Sequence, residues 1–136
     1  MKQLFKTLAL ITLALMLGAC DDNSNDLVGK WDDTIKLSEK KVEFNSDKNS
    51  KTITTQGDKW WVGDISIEGE NLHLTPEQGT HKEDFKFSKD YLTVERDKKS
   101  ITITMDENKT NAKREVVIIL QAGDYFDYIH VTQDHK

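Results

Sequence analysis

Apolar and polar side chains alternate with a period of two along much of this chain, and the alternation is strongest between residues 114 and 133. A run of mostly β-branched residues from 116 to 120 is long enough for one buried strand. Gly123-Asp124 follows as a two-residue turn signal, and residues 125–132 form a second strand-like run. The stretch therefore predicts the last hairpin of an antiparallel β domain.

A two-residue loop fixes the pairing of the two predicted strands, because opposed residues are then set by their distance from the turn. On one face the predicted pairs are apolar and belong to the core: Val116 with Val131, and Ile118 with Ile129. The pairs on the other face are Val117 with His130, Ile119 with Tyr128, and Gln121 with Phe126. This half-apolar face is either covered by a further layer or strand of the protein or exposed as an aromatic surface for a partner.

Shorter strand signals precede the hairpin at intervals of about ten residues, a spacing typical of all-β sandwiches. The predicted strands are residues 34–37, 41–44, 51–55, 60–67, 72–74, 85–87, 91–95 and 100–105. No amphipathic helical stripe interrupts them. We therefore expect a β-sandwich of about seven or more strands over residues 31–136.

Residues 1–19 have the composition of an export signal rather than of a folded domain. Lys2 and Lys6 precede an apolar run at residues 8–17, which is shorter than the roughly 20 residues of a membrane-spanning helix. The run ends in Leu17-Gly18-Ala19-Cys20, which resembles the bacterial lipobox. That resemblance implies cleavage between Ala19 and Cys20 and thioether lipidation of the Cys20 sulfur by a lipid that carries acyl chains such as palmitate. A secretory signal with a chance cysteine is the alternative.

Cys20 is the only cysteine in the chain, so no intramolecular disulfide can form. Stable membrane anchoring takes about two acyl chains, which a multiply acylated cysteine supplies. Residues 20–30 are acidic and predict a flexible tether. An acidic run after the cysteine resembles a surface-export signal of some Gram-negative lipoproteins. Aspartate directly after it resembles an inner-membrane retention signal of enteric bacteria, so either envelope membrane is compatible with the sequence.

The charge balance excludes two classes of partner. The net charge is −5, and removal of residues 1–19, which carry only Lys2 and Lys6, changes it to −7. An acidic chain without basic clusters argues against nucleic acid and against electrostatic binding to anionic lipid. We therefore expect the acyl chains on Cys20 to provide the membrane contact.

Several short motifs between about residues 35 and 133 resemble one known family. They are Lys36-Leu37-Ser38 leading to Val42 and Phe44, Thr52-Ile53-Thr54-Thr55 before Trp60-Trp61, Tyr91-Leu92-Thr93-Val94, Asn108 before Arg114, and Ile129-His130-Val131-Thr132-Gln133. Together they resemble the BACON domain, an immunoglobulin-like antiparallel β-sandwich whose name includes carbohydrate binding. Residues 68–89 are longer and more polar than the family pattern, and Tyr91 stands where the family usually has tryptophan.

Trp60 and Trp61 are the main candidates for ligand contact. Neighbours in a strand face opposite sides, so one should be the core tryptophan and the other should face solvent or a covering loop. An exposed indole could stack on a sugar ring. The alternative is that both tryptophans are structural, while Arg114 is expected to hydrogen-bond a turn near Asn108.

We expect no catalytic residue, metal or cofactor. The four histidines lack metal-ligand spacing. The carboxylate pairs Glu68 with Glu70 and Glu83 with Asp84 fall in charged loops rather than in a cleft.

Two functions remain. The favoured one is a structural or protein-interaction lipoprotein of the cell envelope that packs Val117, Ile119, Phe126 and Tyr128 on a partner. The alternative is a carbohydrate-binding module that captures glycan through exposed aromatic residues, with the exposed member of Trp60 and Trp61 and with Tyr128 as stacking residues.

Overall fold

The computed structural model describes residues 32–136, so the predicted signal peptide, Cys20 and the tether lie outside the described residues. The described residues form nine strands and one turn of 3-10 helix at Pro76–Gln78. The strands are β1 Lys41–Phe44, β2 Asn49–Thr54, β3 Trp61–Ile67, β4 Glu70–Asn71, β5 Lys86–Lys89, β6 Leu92–Asp97, β7 Ser100–Met105, β8 Arg114–Ala122 and β9 Tyr125–Gln133.

These strands build two sheets. One has the order β1-β9-β8-β3-β4 and the other the order β2-β7-β6-β5. The predicted all-β sandwich is therefore confirmed, with one qualification: β1 pairs with β9 in parallel, so the fold is not wholly antiparallel.

The predicted hairpin is confirmed residue by residue. β8 and β9 pair from Arg114 with Gln133 to Ala122 with Tyr125. Gly123 in the turn has a φ of 61°, a left-handed conformation that glycine adopts without a steric penalty. The local sequence therefore determines both the turn and the register of these strands.

One apolar core fills the space between the sheets, and alternate positions of the strands supply it. In β7, the predicted inward residues Ile101, Ile103 and Met105 are all 0% exposed. Ile118 and Ile129 reach the same core from the opposite sheet and are also 0% exposed. Burying a side chain of this size stabilises the fold by about 1.5–3 kcal/mol.

The predicted strand at residues 34–37 is wrong. Lys36 has a φ of 53°, which interrupts an extended backbone. Asp33 Oδ1 instead accepts the N–H groups of Ile35 at 3.1 Å and Lys36 at 2.8 Å, which closes a turn. Ser38 still donates its N–H to the Thr54 carbonyl at 2.9 Å. The segment thus follows the edge of β2 before it crosses to the other sheet as β1.

The predicted strand at residues 72–74 is also wrong, because His73 has a φ of 54° and breaks the extended backbone. The short strand β4 lies just before it. Leu72 and Leu74 pack against the edge of the core instead. The other predicted strands are present, with bounds that differ by at most two residues.

Candidate binding surface

The two adjacent tryptophans lie on opposite sides of the chain, as expected for neighbours in extended backbone. Trp60 is 3% exposed and belongs to the core. Its indole Nε1 donates to Thr55 Oγ1 and to the Gly57 carbonyl, both at 3.0 Å. The one donor of the buried ring is thereby satisfied, so Trp60 is the core tryptophan of the pair.

Arg96 holds Trp60 in place from the opposite sheet. Its guanidinium carbon lies 3.7 Å from the centroid of the Trp60 ring, and its Nη1 donates to the Trp60 carbonyl. Nη2 donates to the Asp58 carbonyl at 2.8 Å and Nε to the Lys98 carbonyl at 3.1 Å. Burial lowers the pKa of Arg96, while the charges of Glu83 and Asp58 act in the opposite direction. These contacts are structural.

Trp61 lies on the outer side of the five-stranded sheet. It is opposite Gln121 of β8, which in turn is opposite Phe126 of β9. These three side chains therefore form one row across three strands. We call this side of the three strands the outer aromatic face, and it comprises Trp61, Val117, Ile119, Gln121, Phe126 and Tyr128.

A β-bulge at Gly63 places Trp61 and Asp64 on the same outer side of β3, although they are three positions apart. Val62 pairs with Leu120, whereas Asp64 pairs with Ile119, so Gly63 is the extra residue of β3. A Cβ atom on Gly63 would lie 3.4 Å from the side-chain oxygen of Gln121. The missing side chain therefore leaves room for the Gln121 amide in the middle of the row.

Phe126 and Tyr128 are the exposed large hydrophobic residues of the outer aromatic face, with exposed fractions of 46% and 44%. Val117 and Ile119 lie between β3 and β9 and are half-buried. Within residues 32–136, no further layer or strand covers Phe126 and Tyr128 on this side of the hairpin. Whether these residues contact a partner stays a prediction.

Polar groups border the exposed rings. The His130 ring lies 6.4 Å from the Tyr128 ring, with an interplanar angle of 37°, and Lys41 is its neighbour on β1. The Gln121 amide donates to the Gly123 carbonyl at 3.0 Å. Hydrogen-bonding groups therefore surround the aromatic side chains, as at the rim of many binding surfaces.

The strand edge beside the exposed rings is blocked by charge. β1 pairs with β9 only from His130 to Gln133. Asp127 lies in the part of β9 before His130, where β1 no longer pairs. Its inward side chain accepts the N–H of Tyr128 at 2.9 Å and forms an ion pair with Lys40 at 2.9 Å. This hydrogen bond to Asp127 is the largest cause that raises the pKa of Lys40. An inward charge at a sheet edge disfavours addition of another strand, so the face rather than the edge is open to a partner.

His81 partly covers Trp61. The centroids of the two rings are 5.0 Å apart and the rings are tilted by 58°. His81 belongs to a segment of residues 72–84, which we call the strap. The strap contacts β3 where the Leu74 N–H donates to Asp64 Oδ1 at 3.1 Å. The long polar stretch noted in the sequence thus places a side chain against the outer aromatic face.

Glu68, just after β3, joins β8 to the turn between β5 and β6 of the other sheet. Its Oε1 accepts the Tyr91 hydroxyl at 2.7 Å and the Glu115 N–H at 3.1 Å. Burial, and then the hydrogen bond to Glu68, raise the pKa of Tyr91 well above its usual range. The carboxylate is therefore committed to the fold.

Arg114 has the predicted structural role. Its Nη1 donates to the carbonyls of Asp106 at 3.1 Å and Glu107 at 3.4 Å, next to Asn108. Its guanidinium carbon also lies 3.9 Å from the centroid of the Tyr91 ring. The side chain thus ties the loop before β8 to the sandwich.

Within residues 32–136, no group of three metal-ligating side chains converges. Two cavities of about 220 and 330 Å³ open beside β5 and share Asp84, Phe85 and Lys86. Their linings mix acidic and basic side chains, and neither includes a residue of the outer aromatic face. No helix in the described part of the chain is long and apolar enough to cross a membrane.

The structure unites two sets of residues that the sequence analysis treated separately. Trp61 and the hairpin residues lie on one face, whereas Trp60 does not. Sequence reasoning missed His81 and the position of Gln121 in the row. A glycine inside a strand signals a bulge, so Gly63 carried a usable indication of this register.

Two comparisons with known proteins, one with family models and one with solved structures, agree with this architecture. Residues 69–134 match the family model BACON, described as "Putative binding domain, N-terminal". Among curated proteins, none matches this chain.

A solved structure is also similar, the "NMR structure of the protein from Bacteroides thetaiotaomicron". It is 18% identical with a TM-score of 0.64, and the match covers 79% of this chain and 92% of that chain. At that identity the likeness shows the fold alone.

Proposed function

Because this chain carries a BACON-like domain, we propose that it is a non-catalytic binding module of the cell envelope that docks on an envelope protein through the outer aromatic face. Acyl chains on Cys20 anchor it to the outer membrane. The motif before Cys20 and the acidic run after it support the anchor.

The exposure of Phe126 and Tyr128 carries this proposal. Both rings project from one regular strand, and nearly half of each is open to solvent. Their neighbours Val117 and Ile119 add a partly buried aliphatic floor. A flat apolar patch with a polar rim suits another protein surface, and aromatic residues contribute most to such contacts.

A glycan is the second candidate ligand, and one observation favours it. Trp61, Gln121 and Phe126 alternate ring, amide and ring across three strands. Sugar rings stack on aromatic faces and accept hydrogen bonds from amides beside them.

A photocrosslinking amino acid at Tyr128 tests the docking surface in the native host. We expect one discrete adduct with an envelope protein from position 128, and none from position 52, which lies on the outer side of the other sheet. Adding Phe126→Ser should reduce the adduct. Equal adducts from positions 128 and 52, or an adduct that Phe126→Ser leaves unchanged, would count against the proposal. A specific hit on a glycan array that Phe126→Ser abolishes would replace the protein partner with the glycan.

Intact-mass analysis and membrane fractionation test the anchor. We expect the mature chain to begin at Cys20 with added acyl mass and to co-fractionate with the outer membrane. Cys20→Ser should release the protein from the membrane. An unmodified thiol in the mature chain would refute the anchor, and recovery with the inner membrane would refute only the choice of membrane.

A further inference from the structure

The geometry points to His81 as a removable cover of Trp61, which a docking partner displaces to gain a third aromatic ring. This inference rests on the proposed function, since it concerns the same face. It assigns a specificity-determining role to Trp61 and a gating role to His81.

The cover and the covered ring differ in how firmly they are held. Trp61 is fixed in β3 by its pairing with Gln121 of β8, and its side chain is half-buried. His81 is exposed. Among the hydrogen bonds of residues 32–136, none involves the His81 imidazole. Its contact with Trp61 is the single ring-to-ring approach of 5.0 Å.

The strap can keep its own structure when His81 moves. Its turn is closed internally, because Thr75 accepts the Gln78 N–H at 3.0 Å and donates its own N–H to Gln78 Oε1 at 2.8 Å. Thr80, next to His81, is 2% exposed and anchors the backbone. A change of the His81 rotamer is therefore enough to uncover the indole.

Uncovering Trp61 changes the chemistry of the face. Trp61 and Phe126 lie in the same row two strands apart, which places them about 10 Å from each other. The face then offers three rings, Trp61, Phe126 and Tyr128, around the half-buried Ile119. Indole is the ring most often found at the energetic centre of protein interfaces.

Acrylamide quenching of tryptophan fluorescence tests the cover directly. Trp31→Phe provides the parent, so that emission comes from the buried Trp60 and from Trp61. We expect His81→Ala to raise the quenching constant and shift the emission to the red. His81→Phe, which restores a ring, and His135→Ala, a matched histidine away from the face, should both behave like the parent. Unchanged quenching in His81→Ala would overturn the inference.

Crosslink yield from position 128 tests the displacement. His81→Ala removes the aromatic contact with which the partner competes. When the partner is limiting, we expect this variant to raise the yield by about two- to tenfold, the factor that corresponds to the free energy of one ring pair. Increased quenching with an unchanged yield would show that the partner does not displace His81, and would overturn the gating role. Absence of any adduct in parent and variant would instead refute the proposed function and the displacement, while the quenching result alone decides whether His81 covers Trp61.

Discussion

Lys40 and Asp127 form an ion pair of 2.9 Å at the point where β1 and β9 separate. The Asp127 side chain is 8% exposed and that of Lys40 52%. The carboxylate also accepts the Tyr128 N–H at 2.9 Å. One charged side chain therefore satisfies the backbone next to the exposed rings and keeps that edge from pairing.

Removing this carboxylate should destabilise the domain. We expect Asp127→Ala to lower the free energy of unfolding by about 1–3 kcal/mol, because the Tyr128 N–H and Lys40 both lose their partner. Urea denaturation measures the change. The control is Lys41→Ala, whose pair with Glu43 is exposed on both sides and should change stability by less than about 0.5 kcal/mol. Equal effects of the two substitutions would contradict this role of Asp127.

The half-buried Tyr91, whose hydroxyl donates to Glu68, should make stability depend on alkaline pH. The folded state raises the pKa of Tyr91 above its ordinary value of 10.0, so the folded chain binds this proton more tightly than the unfolded chain. The contribution is fully present below pH 10.0 and is lost as the pH rises through the folded pKa. We expect the free energy of unfolding to fall less steeply above pH 10 in Tyr91→Phe than in the parent. Denaturation curves at pH 8 to 11 measure the difference, and parallel curves would refute it.

Arg96 should be irreplaceable by lysine. The guanidinium donates to three separate carbonyls, those of Asp58, Trp60 and Lys98, and a single ammonium on a different stem cannot reach all three. We expect Arg96→Lys to lower the free energy of unfolding by about 1–3 kcal/mol, because the buried Trp60 carbonyl and the part-buried Asp58 and Lys98 carbonyls lose their donors. Chemical denaturation followed by tryptophan fluorescence measures it. Lys86→Arg, on an exposed side chain of β5, provides the reverse exchange as a control, and a neutral Arg96→Lys would disprove the role.

Phe126 and Tyr128 should contribute little to folding. Both rings are nearly half exposed, so we expect Phe126→Ser and Tyr128→Ser each to change the free energy of unfolding by no more than about 0.5 kcal/mol. Ile129→Ser, one position along the same strand but 0% exposed, should cost several times as much. A large loss from the two exposed positions would mean that the rings serve the fold rather than a partner.

The final hairpin could be predicted almost completely from the sequence, because its determinants are local. A period of two sets the faces, and a two-residue turn at Gly123 sets the register. Residues such as Ile118 and Ile129 therefore fall into place without knowledge of the rest of the chain.

Residues 34–37 and 72–74 could not be predicted in the same way. Lys36 and His73 adopt left-handed backbone conformations, and neither lysine nor histidine is a residue type from which that conformation would be predicted. A β-propensity pattern continued across both positions, and the strands predicted there do not form.

The composition of the outer aromatic face was predictable only in part. The hairpin pattern placed Phe126 and Tyr128 on one face. The position of Trp61 on that face depends on a bulge in β3 and on pairing between segments that are distant in sequence. The position of His81 depends on how the strap crosses the sheet, which no periodicity encodes.

The parallel pairing of β1 with β9 has a mechanical consequence. Four residue pairs join these strands, from Lys41 with His130 to Phe44 with Gln133. Tension that pulls residue 32 away from residue 136 loads their hydrogen bonds along the strands. The bonds then resist as a group instead of opening one after another. A module stretched between its two ends would therefore yield abruptly and at high force, in the manner of a shear clamp.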